Sequence, residues 1–149
     1  VYNSLYRGSD GVERNTDFNG NFASNFLIGK EFKLNKKNSI TLGANVTWAG
    51  GRRFGLVDTV ASATSREVVF QDDQYNEFQF QDYFRADIKI NYKLNTKKVT
   101  HEIGLDLVNV FGIKNILAIT YAPTPDDPQR ITTSNQLGFL PLFYYRVDF

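Results

Sequence analysis

The sequence predicts an all-β fold whose antiparallel strands form part of a transmembrane β-barrel. Three observations predict it: apolar and polar residues alternate with a period of two, short polar turns alternate with long loops, and aromatic residues recur at the predicted strand ends. A strand with one face in lipid and the other in a wet interior requires this alternation. About five complete strands are expected, at about 17–34, 39–50, 83–94, 99–111 and 136–149. Long external loops are expected at about 51–82 and 112–135.

The composition excludes several classes of protein. Aromatic residues make up 15% of the chain, yet its mean hydropathy is negative, so the apolar residues are interspersed with polar ones. With a net charge of +1, the sequence has no basic surplus for nucleic acid. It has no Cys for a disulfide framework and no run of about 20 apolar residues for a membrane-spanning helix. Val1–Asp10 lacks the basic start and apolar run of a signal peptide, so we expect a mature chain or a piece of a longer protein.

The first two predicted strands form a hairpin around the polar turn 35–38. The first strand is far longer than the roughly 5–6 residues of a globular strand, and its surplus is expected to project beyond the bilayer. Its apolar face carries Phe18, Phe22, Phe26, Ile28, Phe32 and Leu34. The second strand alternates small polar residues with Ile40, Leu42, Ala44, Val46 and Trp48. Val1–Tyr6 is the expected tail of a further strand.

The alternation resumes at Tyr83 after a long polar stretch. One face of this third strand is apolar, and the other is charged and therefore needs a wet environment. The apolar face carries Phe84, Ala86, Ile88, Ile90, Tyr92 and Leu94. The predicted lumen-facing charges are Arg85, Asp87, Lys89 and Lys93. These charges are expected to pair with a plug or with neighbouring strands.

The last two strands follow the short turn 95–98 and the Pro-rich loop that ends at Asn135. In the fourth strand Ile103, Leu105 and Leu107 alternate with Glu102, Gly104 and Asp106. Ile113–Tyr121 is expected to be irregular and Ala122–Asn135 to be loop. The apolar face of the last strand carries Phe139, Pro141, Phe143, Tyr145, Val147 and Phe149.

Turn lengths and aromatic residues give the strands a consistent orientation. If Phe149 ends in the periplasm, both short turns are periplasmic and both long loops are external, as in outer-membrane barrels. The aromatic residues at the borders of the apolar face would then contact the lipid interfaces. These predicted lipid-interface aromatics are Phe32, Trp48, Phe84 and Tyr92. A soluble β-sandwich for adhesion or carbohydrate binding is the alternative fold.

Other candidate sites have simpler explanations. His101, the single histidine, lies near a strand end and is expected to be a polar interfacial residue. Asp72-Asp73 and Asp126-Asp127 are expected to be solvated loop charges. Gly50-Gly51 lacks the helix and the Lys-Ser or Lys-Thr pair of a phosphate loop. We therefore predict no catalytic, cofactor-binding or metal-binding residue, no cofactor and no enzymatic activity.

Several segments, in their order and spacing, resemble the C-terminal end of TonB-dependent outer-membrane receptors of the Bacteroidota type. The resemblance covers nearly the whole chain. It rests on Trp48–Phe54, Asp82–Lys89, Leu105–Phe111, Lys114–Leu117, Gln136–Pro141 and Tyr145–Phe149.

The resemblance implies a location in the bacterial outer membrane and a barrel of 22 strands with an N-terminal plug. Such receptors take up scarce nutrients, such as metal chelates, vitamins or glycans, with energy delivered by TonB. This sequence contains no plug and no TonB-contacting segment, so its expected partners are outer-membrane lipid and the remainder of such a receptor, with TonB acting through the missing plug. Five strands cannot close a barrel, because bacterial barrels begin at about 8.

The last strand resembles the assembly signal that is read by the barrel assembly machinery. An unpaired strand can add to the open seam of a receptor sheet through its backbone, and its side chains supply specificity. The residues that would supply it are Phe143, Tyr145, Val147 and Phe149. One alternative function follows, in which the chain is a fragment held as a client of that machinery.

Overall fold

The computed structural model of the chain describes residues 3–149. The predicted all-β class with antiparallel sheets is confirmed, and one short helix accompanies the strands. The largest sheet has five strands, and within residues 3–149 it ends in two edges and does not close on itself.

The described residues form eleven strands, one α-helix and one turn of 3₁₀ helix at Asp72–Gln74. The five strands of the main sheet are β3 (Ala23–Lys33), β4 (Asn38–Ala49), β7 (Tyr83–Asn95), β8 (Thr100–Val108) and β11 (Leu140–Asp148). The shorter elements are β1 (Leu5–Arg7), β2 (Glu13–Asn15), β5 (Arg53–Phe54), α1 (Thr59–Ser65), β6 (Phe78–Gln79), β9 (Ile116–Tyr121) and β10 (Ile131–Asn135).

The main sheet has the order β11-β8-β7-β4-β3. β8 runs antiparallel to both of its neighbours, with Lys93 opposite Glu102 in β7–β8. β4 and β7 also run in opposite directions, because the amide of Asn95 donates to the carbonyl of Lys37 at 2.8 Å and Gly43 lies beside Lys89. The turns after β3 and after β7 therefore lie side by side at one end of the sheet.

The chain divides into two compact units. The sheet unit comprises Ser24–Trp48, Phe84–Ile113 and Leu137–Phe149, and it contains most of the five-stranded sheet. The loop unit comprises the chain up to Ala23 together with Ala49–Tyr83 and Lys114–Gln136. The loop unit contains α1 and three small two-stranded sheets, β1–β2, β5–β6 and β9–β10.

Close backbone contacts organise the loop unit. A Cβ atom on Gly20 would lie 2.6 Å from the carbonyl oxygen of Gly50, and Gly50 and Gly51 have even less room beside the backbones of Gly20 and Phe80. Arg53 fixes the same junction, because its Nε donates to the carbonyl of Asn19 at 3.1 Å. Gly50 and Gly51 therefore allow close packing of backbone segments, because a side chain at either position would overlap the neighbouring backbone.

Three predicted strand limits are wrong, each for a local reason. The first strand begins at Ala23 rather than at about 17, because Asn21 has a φ of 70° that interrupts extended backbone. The fourth ends at Val108 rather than at about 111, because Asn109 has a φ of 52°. The last begins at Leu140 rather than at about 136, since Leu140 pairs with Val108 and β8 offers no partner beyond it.

The two predicted loops contain regular elements, so the predictions of an irregular segment at Ile113–Tyr121 and of loop alone at Ala122–Asn135 are wrong. The stretch 51–82 holds β5, α1, the 3₁₀ turn and β6, and the stretch 112–135 holds the hairpin of β9 and β10. No residue of β9 or β10 is fully buried, so neither strand needs an apolar face. Their sequences therefore gave no period-two pattern from which the strands could be predicted. Of the predicted strand tail Val1–Tyr6, Leu5 and Tyr6 pair with β2, and residues 1 and 2 lie outside the described part.

Candidate functional site

The distribution of buried residues is the reverse of that in a soluble domain. Among residues 3–149, Ala86 is the one hydrophobic side chain that is buried. Seven polar or charged residues are buried instead, namely Asn19, Ser39, Ser62, Asn76, Glu102, Asn109 and Asn115. Soluble proteins bury apolar side chains and keep carboxylates exposed unless they are paired. The candidate functional site is therefore the sheet itself, with its two different faces.

One face of the five-stranded sheet is apolar and exposed. Ile28 is 73% exposed and Phe143 is 78% exposed. All five strands contribute large exposed apolar residues to this face, among them Phe26, Phe32, Leu42, Trp48, Ile88, Ile90, Ile103 and Tyr145. A continuous apolar surface of this extent is rare on a soluble monomer and marks contact with a partner or a membrane.

The four predicted interface aromatics lie on strands of the main sheet. Phe32 and Trp48 are exposed, near the ends of β3 and β4. Phe84 is half-buried near the start of β7, and its ring lies 6.3 Å from that of Phe111. Tyr92 is half-buried, three residues before the end of β7. All four side chains belong to the apolar face, so they contact lipid only if that face does.

The opposite face is polar and carries the predicted lumen-facing charges. Each of the four lies in β7 and has a partner of opposite charge, either on its own strand or on β8. The pairs are Arg85–Asp87 at 2.8 Å, Lys89–Asp106 at 3.4 Å and Lys93–Glu102 at 3.8 Å. The Lys89 and Lys93 pairs cross to a neighbouring strand, which is one of the two pairings that the sequence left open, whereas Arg85 and Asp87 pair within β7.

Glu102 is the centre of this network and is the only buried carboxylate residue among residues 3–149. Its oxygens accept hydrogen bonds from Asn91 Nδ2 at 3.1 Å and from the Tyr144 hydroxyl at 3.1 Å. Arg146 lies 3.0 Å from its other oxygen. A buried charge is tolerable when it is both paired and hydrogen-bonded, and Glu102 is both.

Gly104 makes room for this network. Gly104 and Tyr144 are directly opposite each other in β8 and β11, and the Tyr144 ring occupies the space that a Cβ on Gly104 would fill. The hydroxyl of Tyr144 also lies 3.0 Å from Asn91 Oδ1, so the carboxylate and the amide oxygen share its single hydrogen as alternative acceptors, and Lys89 Nζ lies 5.2 Å from the centre of the ring. One aromatic ring therefore connects three strands across the polar face.

The charges of β7 were predicted from the sequence, but their pairing with Glu102 and Asp106 of β8 was not. The signal was available, because a hairpin closed by the turn at 95–98 places Lys93 opposite Glu102 and Lys89 opposite Asp106. Tyr144 and Arg146 carried no comparable signal. Their register against β8 depends on the long connection between the two strands, whose length does not fix a register.

The predicted assembly-signal residues lie in or beside β11, an edge of the sheet. Phe143 and Tyr145 are exposed, Val147 is half-buried, and Phe149 follows the last residue of the strand and is fully exposed. Tyr145 contacts the single histidine, with its hydroxyl 2.7 Å from His101 Nδ1. His101 thus has a structural partner, and the outer edge of β11 is unpaired within residues 3–149.

The loop unit contains a separate cavity of about 260 Å³. Phe18, Phe22 and Phe80 line it together with Arg52. Arg52 is already engaged, because its guanidinium lies 5.0 Å from the Phe18 ring centre and donates to the carbonyl of Leu117 at 3.2 Å. The cavity therefore has largely aromatic walls, and the Arg52 guanidinium is held against one of them.

Within the described residues no helix is long and apolar enough to cross a membrane, and no three His, Asp or Glu side chains gather as metal ligands. No family profile, curated protein or solved structure matches the chain. The geometry of the sheet is therefore the feature of the molecule that points to a function.

Proposed function

We propose that the chain forms the C-terminal part of the wall of a TonB-dependent receptor in the bacterial outer membrane. The sheet contacts lipid through its apolar face and the lumen through its polar face. In the assembled receptor it contributes to energised uptake of a nutrient of the metal-chelate, vitamin or glycan class. The plug that contacts TonB and the other strands of a 22-stranded barrel come from outside this sequence.

One observation carries this proposal, namely the inverted burial of the sheet. Its apolar side chains are exposed on one face, while its charged side chains are paired on the other, around the buried Glu102. Each exposed apolar side chain would gain roughly 1.5–3 kcal/mol on transfer from water to an apolar environment. A bilayer supplies that environment along the whole face, and the polar face remains wet.

A second function has one observation in its favour. The outer edge of β11 is unpaired within residues 3–149, and the residues proposed as an assembly signal lie on that strand. Backbone pairing of such an edge with the seam of the barrel assembly machinery would make the chain an assembly client. The two functions are compatible, since the strand can act first as a signal and later as wall.

Two neighbouring residues of β3 provide the test of a lipid-facing sheet. Ile28 is 73% exposed on the apolar face, and Leu27 is 82% exposed on the opposite face of the same strand. In water a lysine at either position costs little, because both sites are solvated. In a bilayer Ile28→Lys is expected to weaken insertion by about 2–4 kcal/mol near the midplane, and Leu27→Lys by much less.

Trp48, the single tryptophan, reports insertion without any label. It is about half exposed on the apolar face, so lipids brominated on their acyl chains should quench its fluorescence when the sheet enters the bilayer. The chain is added from detergent to phosphatidylcholine vesicles, and quenching is titrated for the unmodified chain and for both variants. Equal quenching of the two variants, or none in the unmodified chain, would contradict the proposal.

A further inference from the structure

Four lysines gather at one end of the five-stranded sheet. Lys36 and Lys37 lie in the turn between β3 and β4, and Lys97 and Lys98 lie in the turn between β7 and β8. The hydrogen bond from the Asn95 amide to the Lys37 carbonyl, at 2.8 Å, holds the two turns side by side. These four residues are termed the basic rim.

The side chains of the basic rim have no role in holding the turns, which are held by backbone groups and by other side chains. In the first turn the Asn35 side chain accepts from the amides of Lys37 and Asn38, at 2.8 and 2.9 Å. In the second turn the Thr96 hydroxyl donates to the Val99 carbonyl at 2.7 Å. All four lysines are exposed, and across residues 3–149 none lies within ion-pair distance of a carboxylate.

The basic rim directly follows the end of the apolar face. Phe32 lies three residues before Asn35, which is in the first turn. Tyr92 lies three residues before Asn95, the last residue of β7 before the second turn. An open groove of about 650 Å³ lies beside the first turn, with Lys33 and Glu31 among its lining residues. Aromatic side chains followed at once by lysines are suited to the border where lipid chains meet headgroups, because lysine extends its charge toward water.

We propose that the basic rim binds the phosphate groups of anionic phospholipids at the membrane surface. This inference rests on the proposed function, since the rim meets headgroups only if the apolar face is in the bilayer. The two turns lie side by side and so place four unpaired ammonium groups at the same end of the sheet. A layer of anionic headgroups offers many negative charges over a similar width, so it can contact all four. Lysines close to such a surface each add to the attraction, and salt screens it.

An acidic segment of another protein is the competing partner, and the position of the rim argues against it. The rim lysines directly follow the end of the apolar face, and the proposed function places that face in lipid. A protein segment would have to leave the apolar face uncovered or bind across the lipid border.

The test compares vesicles with and without anionic lipid. The chain is added to brominated phosphatidylcholine vesicles, or to vesicles that also contain phosphatidylglycerol, and Trp48 quenching gives a partition coefficient in each case. Phosphatidylglycerol is expected to raise the partition coefficient of the unmodified chain on the order of tenfold or more. Replacement of all four rim lysines by glutamine (K36Q, K37Q, K97Q and K98Q together) should abolish this rise and leave phosphatidylcholine binding unchanged.

A matched control removes four exposed cations of the loop unit, through R7Q, R66Q, K114Q and R130Q together. This control should retain most of the rise in the partition coefficient. It loses the same number of positive charges as the rim variant, but it keeps the lysines that are proposed to contact the headgroups. Inorganic phosphate, compared with chloride at equal ionic strength, should not displace the chain. Selective displacement by phosphate would overturn the assignment to lipid.

The outcomes separate the two proposals. Normal binding to phosphatidylcholine without a rise on phosphatidylglycerol would overturn the basic rim and leave the lipid-facing sheet intact. An equal rise in the rim variant and the unmodified chain would do the same. Failure to bind phosphatidylcholine vesicles at all would overturn the proposed function, and the inference that rests on it.

Discussion

Gly104 and Tyr144 show how single residues set the structure of the polar face. The Tyr144 ring lies over Gly104. Its hydroxyl oxygen is 3.0 Å from Asn91 Oδ1 and 3.1 Å from Glu102 Oε1. Gly104→Ala is expected to displace the ring and to lower the free energy of unfolding by about 1–3 kcal/mol. Urea unfolding in detergent micelles, followed by Trp48 fluorescence, measures the change.

Gly43→Ala is the matched control, because its new Cβ would meet Lys89 Cβ at 3.6 Å, an ordinary contact. It should change stability by less than about 0.5 kcal/mol. Tyr144→Ala in the Gly104→Ala background should add little further loss, since the ring has already been displaced. Full additivity of the two changes would show that the ring and the glycine act independently.

Asp10 gives a pH-dependent prediction outside the strands of the main sheet. Its carboxylate accepts from Arg14, with a closest distance of 2.8 Å, and from the Val12 amide at 3.0 Å. The hydrogen bond from Arg14, more than that from Val12, lowers the pKa of Asp10 from 3.8 to about 2. The depressed pKa means that the contact stabilises the β1–β2 hairpin above pH 3.8 and is lost as pH falls through about 2.

A carboxyl carbon NMR titration measures this pKa directly. Arg14→Gln should return the midpoint of Asp10 toward 3.8, because the carboxylate then lacks the hydrogen-bond donor that lowers its pKa most. Glu13→Gln, which removes an exposed carboxylate between the two residues, is the control and should leave the Asp10 midpoint low. An unchanged midpoint in Arg14→Gln would contradict the assignment to Arg14.

At the scale of elements, α1 is stabilised by the residue that precedes it, Asp58. The Asp58 carboxylate accepts from the amides of Val60 and Ala61, at 3.0 and 2.8 Å, and so satisfies two donors that the helix leaves free. Asp58→Ala is expected to cost about 1 kcal/mol and to speed amide exchange at Val60 and Ala61. Thr64→Ala, in the last turn of the same helix, should leave both amides as slow as before.

The main strands could be predicted from the sequence because their environment imposes a period of two. β7 alternates charged residues with Ile88 and Ile90, and no other local structure accommodates that pattern on two different faces. The small two-stranded sheets and α1 could not be predicted in this way. Their contacts depend on positive φ angles at Asn76 and Arg66 and on backbone junctions at glycines, which carry no periodic signal.

The polar face shows the same division between local and non-local information. The Lys93–Glu102 pair follows from one short turn, so its register is available in the sequence. The part played by Tyr144 and Arg146 depends on how β11 returns to pair with β8 after the long connection. Asn109, which bonds to the Ile113 backbone and the Leu137 carbonyl, holds that return in place.

At the scale of the whole molecule, strand direction limits how the sheet can be completed. Neighbouring strands alternate in direction, so β3 and β11, which are separated by three strands, run the same way. A direct pairing of the two edges would be parallel. An all-antiparallel barrel that includes this sheet therefore needs an odd number of further strands between the edges, which gives an even total, as in bacterial barrels.

The open edges give a prediction for the isolated chain in detergent micelles. Amides of the central strands β7 and β8 should be protected from hydrogen exchange throughout, because each strand has a partner on both sides. In β3 and β11 only alternate amides should be protected, since every second one points away from the sheet. Exchange measured residue by residue by NMR tests this pattern. Protection of consecutive amides along β11 would mean that another strand occupies its outer edge, and a dilution series would then show whether that strand comes from a second copy.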